Sequence, residues 1–219
     1  MARYKLVIFD CDGVLVDSEM ISASIIADVL RTVGINMTTE ESYRNFVGGS
    51  MEKTLSYVQS RLGYMPDVDI EGKYRKLSFR AYEEKMKPVN GVTTILESLR
   101  INKCVGSNGP RKKINLNLEI TGLNKYFESD HIFSAYDIQK WKPDPALYLN
   151  AAKQFFCKPS ECIVIEDSIH GLKAAEAAGM KSFGLSYPLK PLPENIHGAE
   201  VFESMHRIKE RLNQIGVLY

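Results

Sequence analysis

Residues 8–19 read IFDCDGVLVDSE, and the fold turns on how that stretch is parsed. An apolar run of strand length, Lys5 to Phe9, closes inside it. Two aspartates come at once after it, Asp10 and Asp12, two positions apart. Carboxylates that close repel one another and lose hydration if buried. A strand ending in such a pair has something to hold or something to attack.

Three more short runs read as strands: Lys103 to Gly106, Cys162 to Ile165 and Lys181 to Leu185, with a weaker one at Ile132 to Ser134. From about residue 88 they alternate with helical stretches: Val92 to Arg100, Lys112 to Ile120, Pro145 to Phe156 and Ser168 to Ala178. Strand–helix alternation predicts a parallel sheet covered on both faces. Residues 18–87 break the pattern. Glu19 to Val33 carries a helical apolar stripe, and Glu40 to Phe46, Met51 to Leu62 and Ile70 to Met86 read as further helices. The expected architecture is α/β: a Rossmann-like doubly wound parallel sheet core of residues 1–17 and 88–219, with an all-helical cap domain, 18–87, inserted after the first strand.

Bulk composition narrows the function. Lys and Arg number 28 against 27 Asp and Glu among 219 residues, so the basic excess that drives nucleic-acid binding is missing. No apolar run reaches membrane-spanning length, and the N-terminal run is too short and too soon interrupted for a signal peptide. Cys11, Cys104, Cys157 and Cys162 form no C-x-x-C pair, and Cys104 and Cys162 read as buried thiols. A reduced, cytoplasmic protein, monomeric or homodimeric, is expected.

The residues suited to chemistry cluster just past the strands. Asp10 and Asp12 come after the first. Ser107, in SNGP, comes after the run at 103–106, and Glu166-Asp167-Ser168 after the run at 162–165. Lys142, in KWKPDP, lies a few residues beyond the weak strand at 132–134. In a parallel sheet these strand ends share one edge, where ligands of open α/β sheets bind. Alone, each residue has a bland explanation: a turn, a helix N-cap, a solvated lysine. Together they put four carboxylates, a hydroxyl and an ammonium in one crevice. Such a cluster suits Mg²⁺ and a phosphate group. A carboxylate brought to about 3.5 Å from a phosphate dianion at effective dielectric ~20 meets repulsion on the order of 10 kcal/mol. Mg²⁺ and Lys142 together offset it, and carboxylates so assisted form aspartyl-phosphates.

The segments DCDGVLVDSE, SNGP, KPDP and IEDSIHGLKAAEAAGM resemble the four motifs of the haloacid dehalogenase superfamily, over the whole chain. They match the branch with a small helical cap, which includes phosphoglycolate phosphatases and β-phosphoglucomutases. The wording of SNGP and YDIQKWKPDP is most similar to bacterial 6-phosphogluconate phosphatases. The resemblance implies that Asp10 is the nucleophile and that Asp12 is the acid for the leaving alcohol and then the base for water. Mg²⁺ is implied on Asp10, the Asp12 carbonyl and Asp167, with Glu166 outside them holding metal-bound water. Ser107 and the Asn108 amide are implied to bind phosphate, and Lys142 to bridge phosphate and Asp10. Gly49 and Ser50, in the turn between cap helices, are expected to reach the substrate, a small phosphorylated metabolite. Arg111, Lys112 and Lys113 are expected on a solvated face.

Mutases of this branch carry a histidine in the first cap helix, where this chain has Ser22, and an arginine after the cap-loop serine, where it has Met51. Both departures favour a phosphatase. Asp12 and Asp167 argue against dehalogenation, which does not need the magnesium cluster. A receiver-like phosphoacceptor domain is the non-enzyme alternative. Its acidic pair and its acceptor lie on different strands, and it lacks a cap.

Overall fold

The computed structural model describes residues 3–194 and 196–219. Within them the sheet has six strands: β1 (Leu6–Phe9), β2 (Asn102–Ser107), β3 (Ile132–Ser134), β4 (Cys162–Glu166), β5 (Lys181–Leu185) and β6 (Glu200–Phe202). All pairings are parallel, in the order β3-β2-β1-β4-β5-β6. Every residue of β1 is buried, as a strand covered on both faces requires. Phe9 pairs with Val105 on one side and Ile165 on the other. The chain runs outward from β1 through β2 to β3, then returns to the far side of β1 with β4. That reversal is the switch point at which the loops leaving β1 and β4 part and open a crevice.

The chain divides into two compact units, Met1–Val16 with Lys87–Tyr219, and Asp17–Met86. The second is all-helical: α1 (Glu19–Arg31), α2 (Thr39–Phe46), α3 (Met51–Leu62) and α4 (Ile70–Lys85). Its core gathers Ile25, Ile26, Val29, Leu30, Phe46, Val58 and Ile70. Local signals set its helix starts. Thr38 and Glu41 close a reciprocal capping box at 3.1 and 2.7 Å. Ser50 caps α3 through Lys53 N, and Asp69 caps α4 through Gly72 N.

The sheet unit adds α5 (Val92–Ser98), α6 (Arg111–Ile120), α7 (Ala135–Ile138), α8 (Ala146–Gln154), α9 (Ile169–Ala177) and α10 (Met205–Gln214). Leu147, Tyr148, Ala151 and Ala152 of α8 share a core with Leu6, Ile8, Cys104 and Val164 of the sheet and Ala174 of α9. Each large apolar side chain buried there contributes about 1.5–3 kcal/mol. Gly106 admits the Tyr148 ring: a Cβ at that glycine would lie 3.2 Å from Tyr148 Cε1 and 3.1 Å from Ile8 Cγ2. Cys11, Cys104, Cys157 and Cys162 are free thiols, and Cys157 alone of the four is not fully buried.

Three elements exceed the sequence expectation: β6, α7 and α10. The strand is a three-residue edge strand and α7 a single turn, both too short for periodicity to mark. Among the described residues no helix is long and apolar enough to cross a membrane.

Candidate active site

The C-terminal ends of β1, β2 and β4 deliver three groups to one place. Asp10 N donates to Ile165 O at 3.0 Å, so the ladder between β1 and β4 holds the first aspartate in register with the end of β4. Gly13 then takes φ +78°, which lets the chain turn back, and Gly13 N bonds Val16 O at 2.9 Å. Tyr187 OH donates to Gly13 O at 2.5 Å from the β5 side and pins that turn.

Lys142 lies at the centre. It is only 7% exposed. Its Nζ donates to Asp10 Oδ1 at 2.5 Å and to Glu166 Oε1 at 2.6 Å. Tyr148 OH donates to the same Glu166 oxygen at 2.8 Å. Glu166 Oε2 accepts from Asp167 N, Ser168 N and Ser168 Oγ at 3.1, 3.0 and 2.8 Å. Both oxygens of Glu166 are therefore supplied with donors by the chain itself. Glu166 thereby anchors Lys142.

One lysine between two buried acids sets the electrostatics. Burial raises both carboxyls, and for Glu166 the charge of Lys142 and its other donors overcome this and hold it below the usual range. Asp10 is pushed up to about 7, first by burial and then by the neighbouring Glu166 charge, against the pull of Lys142. Burial alone would lower Lys142, but Asp10 and Glu166 hold it well above its ordinary value. The site is short of positive charge. Oxygens of Asp10, Glu166 and Asp167, one from each, lie within 4.8 Å of one another. With Glu166 engaged, Asp10 and Asp167 form an oxygen pair that fits a hard cation, which would supply the missing charge.

Ser107 and Asn108 follow one another at the end of β2. Ser107 Oγ accepts from Gly109 N at 3.0 Å, which leaves its hydroxyl proton to donate. Asn108 Oδ1 accepts from Lys142 N at 2.9 Å, which fixes the orientation of its side-chain amide. That bond also ties the loop after β2 to the lysine loop. Gly49 and Ser50 lie in the second unit, between α2 and α3, where Ser50 Oγ caps α3.

Several residues escape the sequence reading. Tyr148 is one: the sequence marks it only as lying within the helical stretch Pro145 to Phe156. Lys113 departs from the solvated face expected of it, while Arg111 keeps to such a face in an exposed ion pair. Lys113 Nζ donates to Asp12 Oδ2 at 2.7 Å, and Arg111 pairs with Asp137 at 2.6 Å and bonds Ser129 O. Lys112 is exposed, as expected. Asn117 Nδ2 reaches Asp12 Oδ1 at 3.3 Å. Gly171 matters for what it lacks: a Cβ there would sit 1.9 Å from Cδ and Oε1 of Glu166. Gly171→Ala is expected to displace the Glu166 carboxylate, loosen Lys142 and lower kcat by about 100-fold. Activity assays beside a melting curve check this; wild-type turnover in the variant would contradict the anchoring role of Glu166.

Residues 7–185 match the family model described as haloacid dehalogenase-like hydrolase. Among curated proteins, the chain is 34% identical over 184 residues to an Escherichia coli K12 6-phosphogluconate phosphatase, covering 84% of this chain and 83% of that one. It is 28% identical to a phosphorylated carbohydrates phosphatase of Thermotoga maritima, covering 81% and 82%. A crystal structure of a family hydrolase from Deinococcus radiodurans R1, with bound phosphate and sodium, superposes with a TM-score of 0.87 at 31% identity, covering 100% and 99% of the two chains. The strand order, the aspartates at the end of β1 and the lysine–glutamate pair beside them thus agree with the sequence match: this chain belongs to the haloacid dehalogenase-like hydrolase family.

Proposed function

We propose that this chain is a Mg²⁺-dependent phosphomonoesterase for a small phosphorylated sugar or sugar acid, with 6-phosphogluconate the first candidate. The observation that carries the reading is the buried Asp10–Lys142–Glu166 chain beside Asp167, at the sheet edge where Ser107 and Asn108 offer donors. The names of the Escherichia coli and Thermotoga relatives support the substrate class.

In this reading Asp10 Oδ attacks phosphorus. The bond from phosphorus to the leaving oxygen breaks, and Asp12 gives that oxygen its proton. An aspartyl-phosphate on residue 10 results. Asp12 then takes a proton from the water that attacks the phosphorus, and Asp10 and inorganic phosphate are released. Lys142 holds Asp10 in place and offsets phosphate charge, while Ser107 Oγ and Asn108 Nδ2 orient the phosphate oxygens. Asp10, Asp167 and the Asp12 carbonyl would hold Mg²⁺, which would supply positive charge to offset the meeting of two anions. A reduced cytoplasmic setting suits the free thiols.

The phosphatase reading is preferred to a mutase because Ser22, at the mutase histidine position, is already bonded to Ser18 O at 2.9 Å and to Tyr82 OH. Family membership and the helical unit speak against the receiver alternative.

The test is inorganic phosphate release across a panel of sugar phosphates, sugar acid phosphates and phosphoglycolate. Activity with at least one sugar or sugar acid phosphate is expected, abolished by EDTA and restored by added Mg²⁺. Release that persists in EDTA would contradict the metal assignment, and isomerised phosphorylated product without release would favour the mutase.

A further inference from the structure

Helix α6 reaches the DxD loop with two side chains. Lys113 and Asn117 stand at i and i+4, so they share one face of the helix. Both meet Asp12: Lys113 Nζ at Oδ2, 2.7 Å, and Asn117 Nδ2 at Oδ1, 3.3 Å. Lys113 lies in the first helical turn, where the macrodipole disfavours a cation. Asn117 is buried, 1% exposed, and its Oδ1 finds no donor among the described residues. A buried amide with an orphaned oxygen is less stable than a satisfied one. An apolar residue of similar size would pack there without that penalty.

Both groups are donors. They meet the two oxygens of Asp12, one each. An unrestrained aspartate rotates broadly about χ2. Two donors one helical turn apart fix the carboxyl plane.

We propose that Lys113 and Asn117 are positioning residues that aim Asp12 at the leaving-group oxygen and so make the enzyme competent for esters of weakly acidic alcohols. The inference rests on the role of Asp12 in the proposed phosphatase reaction. In the step concerned, the Asp10 oxygen–phosphorus bond forms, the phosphorus–leaving-oxygen bond breaks, and the Asp12 proton passes to the departing oxygen. An ester with an acidic leaving group departs as an anion without that proton. An alkyl or simple phenyl ester does not. Misaiming Asp12 therefore penalises the second kind selectively.

The experiment compares kcat/KM for phenyl phosphate and 2,4-dinitrophenyl phosphate in the Mg²⁺-loaded wild type, Lys113→Met, Lys113→Arg, Asn117→Ser and Asp12→Asn. This constant reports the steps up to departure of the leaving group. For Lys113→Met we expect a loss of about tenfold or more on phenyl phosphate, with a much smaller loss on the dinitrophenyl ester. Asp12→Asn should show the same selectivity more strongly, and Lys113→Arg should recover part of the loss. Because Asn117 is buried, the decision rests on Lys113, whose side chain is 38% exposed. Equal losses on both esters, or none, in Lys113→Met while Asp12→Asn remains selective would overturn the positioning role and leave the acid assignment standing. No selectivity in Asp12→Asn itself would overturn the acid assignment.

Discussion

Asp10→Asn is expected to lower turnover by on the order of 10⁴-fold or more while the protein still folds. The amide keeps the shape of the side chain and leaves Lys142 paired with Glu166 at 2.6 Å. It lacks an anionic oxygen to attack phosphorus. The same variant carries a stability signature. In the metal-free protein Asp10 has its carboxyl raised to about 7, above the ordinary 3.8, chiefly by burial. A raised acid favours the folded state only while it stays protonated. Its contribution is present below about pH 4 and is lost as pH rises through about 7. In EDTA the Asn variant should therefore melt higher than wild type at pH 8, and the gap should close towards pH 4. Calorimetry reads this directly. A lower melting temperature at pH 8 would mean that the amide disrupts the site rather than relieving it.

Lys142→Met is expected to abolish activity and to destabilise the protein by about 3–5 kcal/mol. Methionine fills much of the same volume, so the effect is electrostatic. Glu166 is wholly buried and Asp10 nearly so, and both lose their shared counter-charge. The remaining donors to Glu166, from Tyr148, Ser168 and two backbone amides, are neutral. Saturating Mg²⁺ should restore part of the stability through Asp10 and none of the turnover. Lys142→Arg should not substitute, because a longer, planar guanidinium must enter a packed site. A Met variant as stable as wild type would show that Asp10 and Glu166 are both neutral in the folded protein.

Much of this site is legible in the sequence because the relevant signal is short-range. LVIF followed by Asp, CVG followed by Ser, and CIVI followed by Glu-Asp each mark a strand end, and parallel pairing brings strand ends together whatever their separation along the chain. The partners that tune those residues are harder to read. Tyr148 sits in a helix whose pattern is satisfied by packing alone, and nothing local tells that its hydroxyl meets Glu166. Gly171 reads as an ordinary helix glycine until the carboxylate 1.9 Å from its missing Cβ is seen. Lys113 is one of three consecutive basic residues, and composition does not separate the one that finds Asp12 from Lys112, which stays exposed. The helix Met205–Gln214 is a different case. Ser204 caps it and Met205, Ile208 and Leu212 form its buried stripe, so its signal is present. Strand-and-helix alternation reads no further than Leu185, because the intervening edge strand is only three residues long.

Residue 10 must carry the phosphoryl group if the proposed chemistry is right. The direct measurement uses Asp12→Asn, in which water activation is impaired, supplied with 2,4-dinitrophenyl phosphate and Mg²⁺. The reaction is quenched in acid, reduced with borohydride and mapped by peptide mass spectrometry. An aspartyl-phosphate is reduced to homoserine, and we predict that conversion at residue 10 alone. Conversion at another carboxylate, or steady release of dinitrophenol with residue 10 unmodified at every time point, would contradict it.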